Sequence, residues 1–498
     1  MKFPYQEHPR QPSDAFLQYS RWSAAVLLIG LCLFSVGGVF AETKPVLPAV
    51  KPAVEQPVKE LHYPPIRIEV TESKLSQDLR KDKDELIQGS QTLEDILHKS
   101  GAVYRDPELE QAIHDLIPPD RMGEKSRGFY FRVYLLKDPD VNAMTTPSGS
   151  IYVNSGLLAT LDSFDQLRAV MAHEAHHAID QDIVYEFRKY KNETGFLKVF
   201  NLLAAPAVAF AISESDSQTA STIANVYTAS SYAINIAYQL SIFGYSRGDE
   251  NECDEYAMNL LLNNRQDVHE VKKVFEKFEE ERQKYGKGIF QTHLFATHET
   301  AKQRMARVDK FIQRQGAPGS PAEAPRDQRY HELTRNLRIL NARLNIRMGR
   351  VRHALDDLER LKELFPADAR VLNALGEAHA KLAGDRKILE DELSRKEWNK
   401  IKKEKEKAQR DRWIEQSASF FGEAIKLDPA FPDPYQGEAL LREGLKENDK
   451  AIGLFQKYLE LAPEARDRRY VQAKIERLKG IIEKEKNKPD KEKGTPSA

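Results

Sequence analysis

The sequence predicts a mostly helical α+β chain, with a first domain built around a small sheet and an all-α superhelix after it. Three observations carry this. A helix-periodic stretch from Ser163 to Ala178 holds the run His173-Glu174-Ala175-His176-His177. Two β-rich stretches, Phe129 to Leu136 and Ile151-Tyr152-Val153, precede it. Beyond a Gly/Pro-rich break, prolines recur at spacings that suit stacked helix pairs.

At the N-terminus, Arg21 precedes an apolar run from Ala24 to Phe40 that ends Val39-Phe40-Ala41, a small-x-small cleavage pattern. Residues 1–41 read as a signal peptide, which implies export. An uncleaved anchor is the less favoured reading, because the run is short for a span and contains Gly30, Gly37 and Gly38. Residues 42–75 are proline-rich and read as an extended linker. Helical segments are expected from Ser76 to Ile117, inside a domain of residues 76–314.

The pattern H-E-x-x-H places two histidines about 40° apart around a helix axis, so both rings can reach one ion. Glu174 sits beside them, where it can take a proton from an activated water. Ser163 to Gln166 reads as the capping box that opens this helix. Leu167, Val170, Met171, Ala175 and Ala178 then give it a buried face. Glu250 and Asp254 share one face of a later helix, which suits a third ligand and a carboxylate that orients a ligand histidine. Two histidines and one glutamate leave a coordination position open, as a catalytic zinc site needs.

H-E-x-x-H followed by Ser246-Arg247-x-x-Glu250-x-x-x-Asp254 resembles the CAAX-prenyl-protease-like zinc metallopeptidases. Val141 to Met144 and Gly149 to Leu158 resemble that family's strand segment ahead of the active helix, and Thr297-His298 with Arg304 resembles its segment after the third ligand. The resemblance covers roughly residues 125 to 312 and implies a zincin-like domain with one zinc ion. It implies His173, His177 and Glu250 as ligands, Glu174 as general base and Asp254 in support. His298 and Arg304 would overhang the cleft and meet developing oxyanion charge, and His298 is also a candidate fourth ligand that would hold the enzyme inactive. Glu299, Cys253 and Asp182 depart from the family pattern, which bears on the shape of the cleft. His176 is a neighbour that could compete for metal or simply pack in the helix. His269, His293, His353 and His379 read as structural or surface residues.

Leu202 to Ile212 is too short to cross a bilayer and reads as buried or touching a membrane at its surface. Residues 315–328 read as a linker with few contacts crossing it, so that removing residues 329–498 would leave the first domain folded. In residues 329–482, Pro429 and Pro463 stand 34 residues apart, the tetratricopeptide period, while Pro366 and Pro429 stand one period plus 29 apart. The extra residues fall in Arg386 to Arg412, rich in Lys and Glu. Such repeats present a concave face to peptides or partner proteins. Residues 483–498 form a charged tail expected to be disordered.

With 75 Lys and Arg against 76 Asp and Glu, the chain has no field of one sign to attract nucleic acid. Cys32 and Cys253 are its two cysteines, and removal of the signal peptide would leave Cys253 alone. The functional expectation is an exported, periplasmic zinc endopeptidase whose repeats bind clients. The order of domains resembles that of quality-control proteases of the Gram-negative periplasm. That implies unfolded or misassembled substrates and contact with envelope assembly machinery. The alternative is a periplasmic chaperone or scaffold with a latent zinc site.

Overall fold

A computed structural model describes residues 77–118, 130–146, 148–182, 184, 247–285, 300–315, 327–384 and 403–486, with isolated positions 122, 126 and 188. Residues 1–41, expected to be a signal peptide, the proline-rich residues 42–75, residues 202–212, His293 and His298 lie outside the described residues, as do most of the Lys/Glu-rich stretch and of the tail. Among the described residues, no helix is long and apolar enough to cross a membrane.

The chain opens with α1 (Gln77–Lys99), β1 (Val103–Tyr104) and α2 (Pro107–His114), followed by β2 (Arg132–Leu136), β3 (Ala143–Thr145) and β4 (Ser150–Asn154). The strands form one sheet in the order β1-β2-β4-β3. β2 and β4 run parallel with Arg132 opposite Ser150, while β1 and β3 pair antiparallel to their neighbours. The two β-rich stretches therefore become adjacent central strands, and β3 lies at the edge. The two-residue strand β1 had no signal of its own, because a run that short carries no alternation.

Two helices, α3 (Ser155–Thr160) and α4 (Phe164–Asp180), follow β4 directly. Gly156 is required where α3 begins: a Cβ there would lie 2.2 Å from the Pro139 carbonyl oxygen. Ser163 caps α4 as the sequence predicts, its hydroxyl accepting from the Gln166 N–H at 3.1 Å. Gln166 reaches back to the Asp162 N–H at 2.8 Å, one residue earlier than a standard capping box. Leu167, Met171 and Ala175 are fully buried and join the sheet residues Val133, Leu135, Ile151 and Val153 in one core. Helices α5 (Arg247–Asn263), α6 (His269–Tyr285) and α7 (Ala301–Gln315) complete this layer.

The C-terminal part is all helical: α8 (Gln328–Arg347), α9 (Val351–Leu364), α10 (Ala369–Gly384), α11 (Lys403–Leu427), α12 (Asp433–Gly444), α13 (Asn448–Leu461) and α14 (Arg468–Lys486). Gly349 makes the turn between α8 and α9 at φ 81°, a region costly for any residue with a Cβ. α9, α11 and α13 each end two residues before Pro366, Pro429 and Pro463, since the residue ahead of proline is pushed out of helical geometry. Phe365 and Ala462 take nearly the same backbone there, at φ −132° and −125°.

The contacts between the two parts are not few. Tyr330 and Leu337 of α8 are fully buried in the same core as α4. The Tyr330 hydroxyl donates to the Leu158 carbonyl at 2.7 Å, and Ser155 donates to Asn341 Oδ1 at 2.8 Å. Further along, Glu281 meets His353 at 3.1 Å and Lys284 meets Asp356 at 2.6 Å. Linker composition signals where a chain is irregular. It does not reveal which helix beyond the linker turns back onto the first core.

Candidate metal centre

Helix periodicity brings His173 and His177 together on α4, with Nε2 atoms 3.2 Å apart, and both side chains are buried. Helix α5 packs across them and supplies Glu250, whose carboxylate oxygens lie 3.7 Å from His173 Nε2 and 3.4 Å from His177 Nε2. One turn on, Asp254 places Oδ1 3.1 Å from His173 Nδ1. The face shared by Glu250 and Asp254 thus meets the two sides of one imidazole.

Each histidine has a carboxylate on its outer nitrogen. Asp182 Oδ2 is 2.9 Å from His177 Nδ1. It reaches there because α4 ends at Gln181 in the left-handed region, φ 58°, which turns the chain back beneath His177. Arg304 Nη2 also approaches His173 Nδ1, at 3.0 Å, but it donates to Asp254 Oδ1 over a shorter, charge-assisted 2.6 Å. With both Nδ1 protons directed at carboxylates, both Nε2 atoms present lone pairs to each other and to Glu250. Burial and the Arg304 guanidinium push His173 down to about 3, so its ring is neutral. Two imidazole nitrogens and a carboxylate thus converge within 3.2–3.7 Å of one another, where one divalent cation would satisfy all three. Two imidazole nitrogens and a carboxylate oxygen are a donor set that zinc accepts. The residues present fit the group.

Burial would raise the Asp254 carboxyl, yet Arg304 and His173 hold it well below the usual carboxylate range. Arg307, three residues further along α7, makes a second ion pair with Asp254. Arg304 is itself buried, stacked 4.3 Å over the Phe275 ring. The expected place for Arg304 was overhanging the cleft. Its guanidinium instead lies behind His173, with Nη1 at 3.9 Å from Glu250. His298 lies outside the described residues.

Glu174 is buried and accepts from the Thr145 hydroxyl at 3.2 Å, which ties it to the edge strand β3. His176 sits 3.4 Å from Cys253 Sγ and 3.8 Å from Asp180, with its ring against Tyr256. Cys253 Sγ is 3.3 Å from His177 Nδ1, and the metal-binding atoms of His173, His177 and Cys253 all lie within 4.8 Å of one another. The thiol approaches His177 at Nδ1, the nitrogen that Asp182 holds, whereas Glu250 approaches both histidines at Nε2. Burial also pushes that thiol up to about 12, against the thiolate that a metal prefers. Sequence reasoning did not find roles for Asp182, Cys253, Thr145 or Arg307. Only Arg307 had a usable signal, its i,i+3 relation to Arg304.

A search of curated proteins finds no match to the chain. Residues 104–312 match the model of peptidase family M48, and they supply every residue of the centre. That stretch is an M48 peptidase domain, which supports a metalloprotease.

Proposed function

We propose that the protein is a zinc-dependent endopeptidase of the H-E-x-x-H plus Glu type, exported to the periplasm, acting on unfolded or misassembled envelope proteins. The observation that carries the chemistry is the Glu250 carboxylate, which faces the Nε2 atoms of both His173 and His177. A zinc ion held by these three residues would polarise a scissile carbonyl and acidify an attacking water. Glu174 takes the proton of that water and delivers it to the leaving amine. Thr145 holds Glu174 Oε2 and so aims the carboxylate. The edge strand β3, one residue of which makes that contact, suits an extended peptide added as a further strand. Asp254 and Asp182 keep the two ligand rings oriented, and Arg304 neutralises Asp254 rather than the substrate.

The role beyond proteolysis rests on the order of domains. A peptidase followed by helix pairs, the last two closed by prolines 34 residues apart, resembles the β-barrel assembly-enhancing protease. In this reading the helix pairs are tetratricopeptide repeats that bind clients or envelope assembly machinery, and residues 1–41 are a cleaved export signal.

Metal removal tests the chemistry. Treating the purified chain with 1,10-phenanthroline should stop cleavage of an unfolded protein, and added zinc should restore it. Glu250→Ala should lose both zinc and cleavage, because it takes away the one anionic donor. Cys253→Ala should keep both, since the thiol sits on the far nitrogen of His177. Full zinc in Glu250→Ala together with zinc loss in Cys253→Ala would make Cys253 the third ligand and overturn the assignment.

A further inference from the structure

The carboxylate of Asp327 ends two helices at once. Its Oδ1 accepts from the Tyr330 N–H at 3.0 Å, as the N-cap of α8. Its Oδ2 accepts from the N–H of Phe164, the first residue of α4, also at 3.0 Å. The first N–H groups of a helix have no partner within it, and Ser163 serves Gln166, so Phe164 depends on this cap from 163 residues away. Tyr330 adds to the grip. Its ring meets Phe164 edge-on at 5.2 Å, and its hydroxyl holds the end of α3 through Leu158.

We propose that Asp327 is a positioning residue for the metal helix: it locks α4 to α8, so that the C-terminal helices set the placement of His173, Glu174 and His177. The activity part of this rests on the zinc peptidase reading. The effect is not a field effect, because helix-end charges are felt only within the first turn and His173 lies about 13 Å further along the axis. It is mechanical. A rotation of α4 by about 10° would carry an imidazole roughly 1 Å, a displacement that can cost about a hundredfold in rate. The first turn of α4 is also tied to α6, where Glu270 accepts from Gln166 at 2.9 Å and from Ser163 at 3.3 Å. Loss of Asp327 therefore loosens α4 without unfolding it.

The experiment compares Asp327→Ala, Asp327→Asn and Asn341→Ala in the full-length chain. Asn341→Ala removes the bond from Ser155 of α3 between the same two parts, a bond in which α4 takes no part. Three readouts are used: amide exchange in the first turn of α4, zinc retention against a chelator, and kcat and KM on an unstructured peptide. Asp327→Ala should speed exchange and lower kcat by about three- to thirtyfold, the range a lost cap implies, with KM within about twofold. It should also release zinc faster. Asparagine has one acceptor oxygen and can cap only one of the two helices, so Asp327→Asn should fall between. Asn341→Ala should leave kcat within about twofold. If Asp327→Ala lowers the melting temperature but leaves exchange in α4 and zinc retention at wild-type values, the coupling is wrong. Equal loss of kcat in Asp327→Ala and Asn341→Ala would likewise overturn it. A wild-type chain that cleaves no peptide would remove the peptidase reading, while exchange and zinc retention would still decide the coupling.

Discussion

Replacing Glu174 with glutamine is expected to reduce proteolysis by about a hundredfold to ten-thousandfold, the range over which a general base contributes, with zinc content unchanged. Glutamine keeps the length and shape of the side chain, and its carbonyl oxygen can still accept from Thr145. His173, His177 and Glu250 are untouched, so the donors for zinc remain. What is lost is the proton acceptor at a buried position where, among the described residues, neither neighbouring carboxylate takes its place: Glu250 is directed at the two Nε2 atoms and Asp254 at His173 Nδ1 and Arg304. The measurement is zinc stoichiometry and cleavage of an unfolded protein, side by side on the same preparation. Cleavage at the wild-type rate with full zinc would remove Glu174 from the mechanism.

Ending the chain at Asp327 should destroy the fold of the peptidase part, whereas ending it at Pro366 should preserve it. The first cut strips Tyr330 and Leu337 from the core they share with α4 and α3, and both are fully buried. Burying a large apolar side chain contributes about 1.5–3 kcal/mol, so these two alone represent several kcal/mol. A domain's whole stability is about 5–15 kcal/mol. The cut also takes the Tyr330 hydroxyl that donates to Leu158 and the Asn341 oxygen that accepts from Ser155, and it leaves their partners next to exposed core. The second cut keeps α8 and α9, and with them the contacts of His353 and Asp356 to α6. Expected results are an aggregated or non-cooperative product for the first truncation and a cooperative thermal transition with bound zinc for the second. A soluble, zinc-loaded chain ending at Asp327 would show that α8 is dispensable.

The parts of the site legible in the sequence are those that depend on one helix at a time. His173 and His177 come together because four residues nearly complete a turn, and Glu250 and Asp254 share a face for the same reason. Ser163 announces the start of α4 because a hydroxyl before an apolar-periodic run satisfies an orphan N–H. Pro366, Pro429 and Pro463 mark helix ends because proline restricts the residue before it. Relations between elements were beyond reach. Asp182 meets His177 only because Gln181 turns left-handed. Arg304 lies behind His173 rather than over the cleft because α7 packs against α5 through Asp254. The cap that α4 shares with α8 comes from Asp327, 163 residues away in sequence from Phe164. Periodicity is a property of the local backbone and survives in one dimension. Which faces meet is settled by burying apolar area from distant segments together, and residues such as Asp327 and Tyr330 look like ordinary surface and repeat positions until that packing exists.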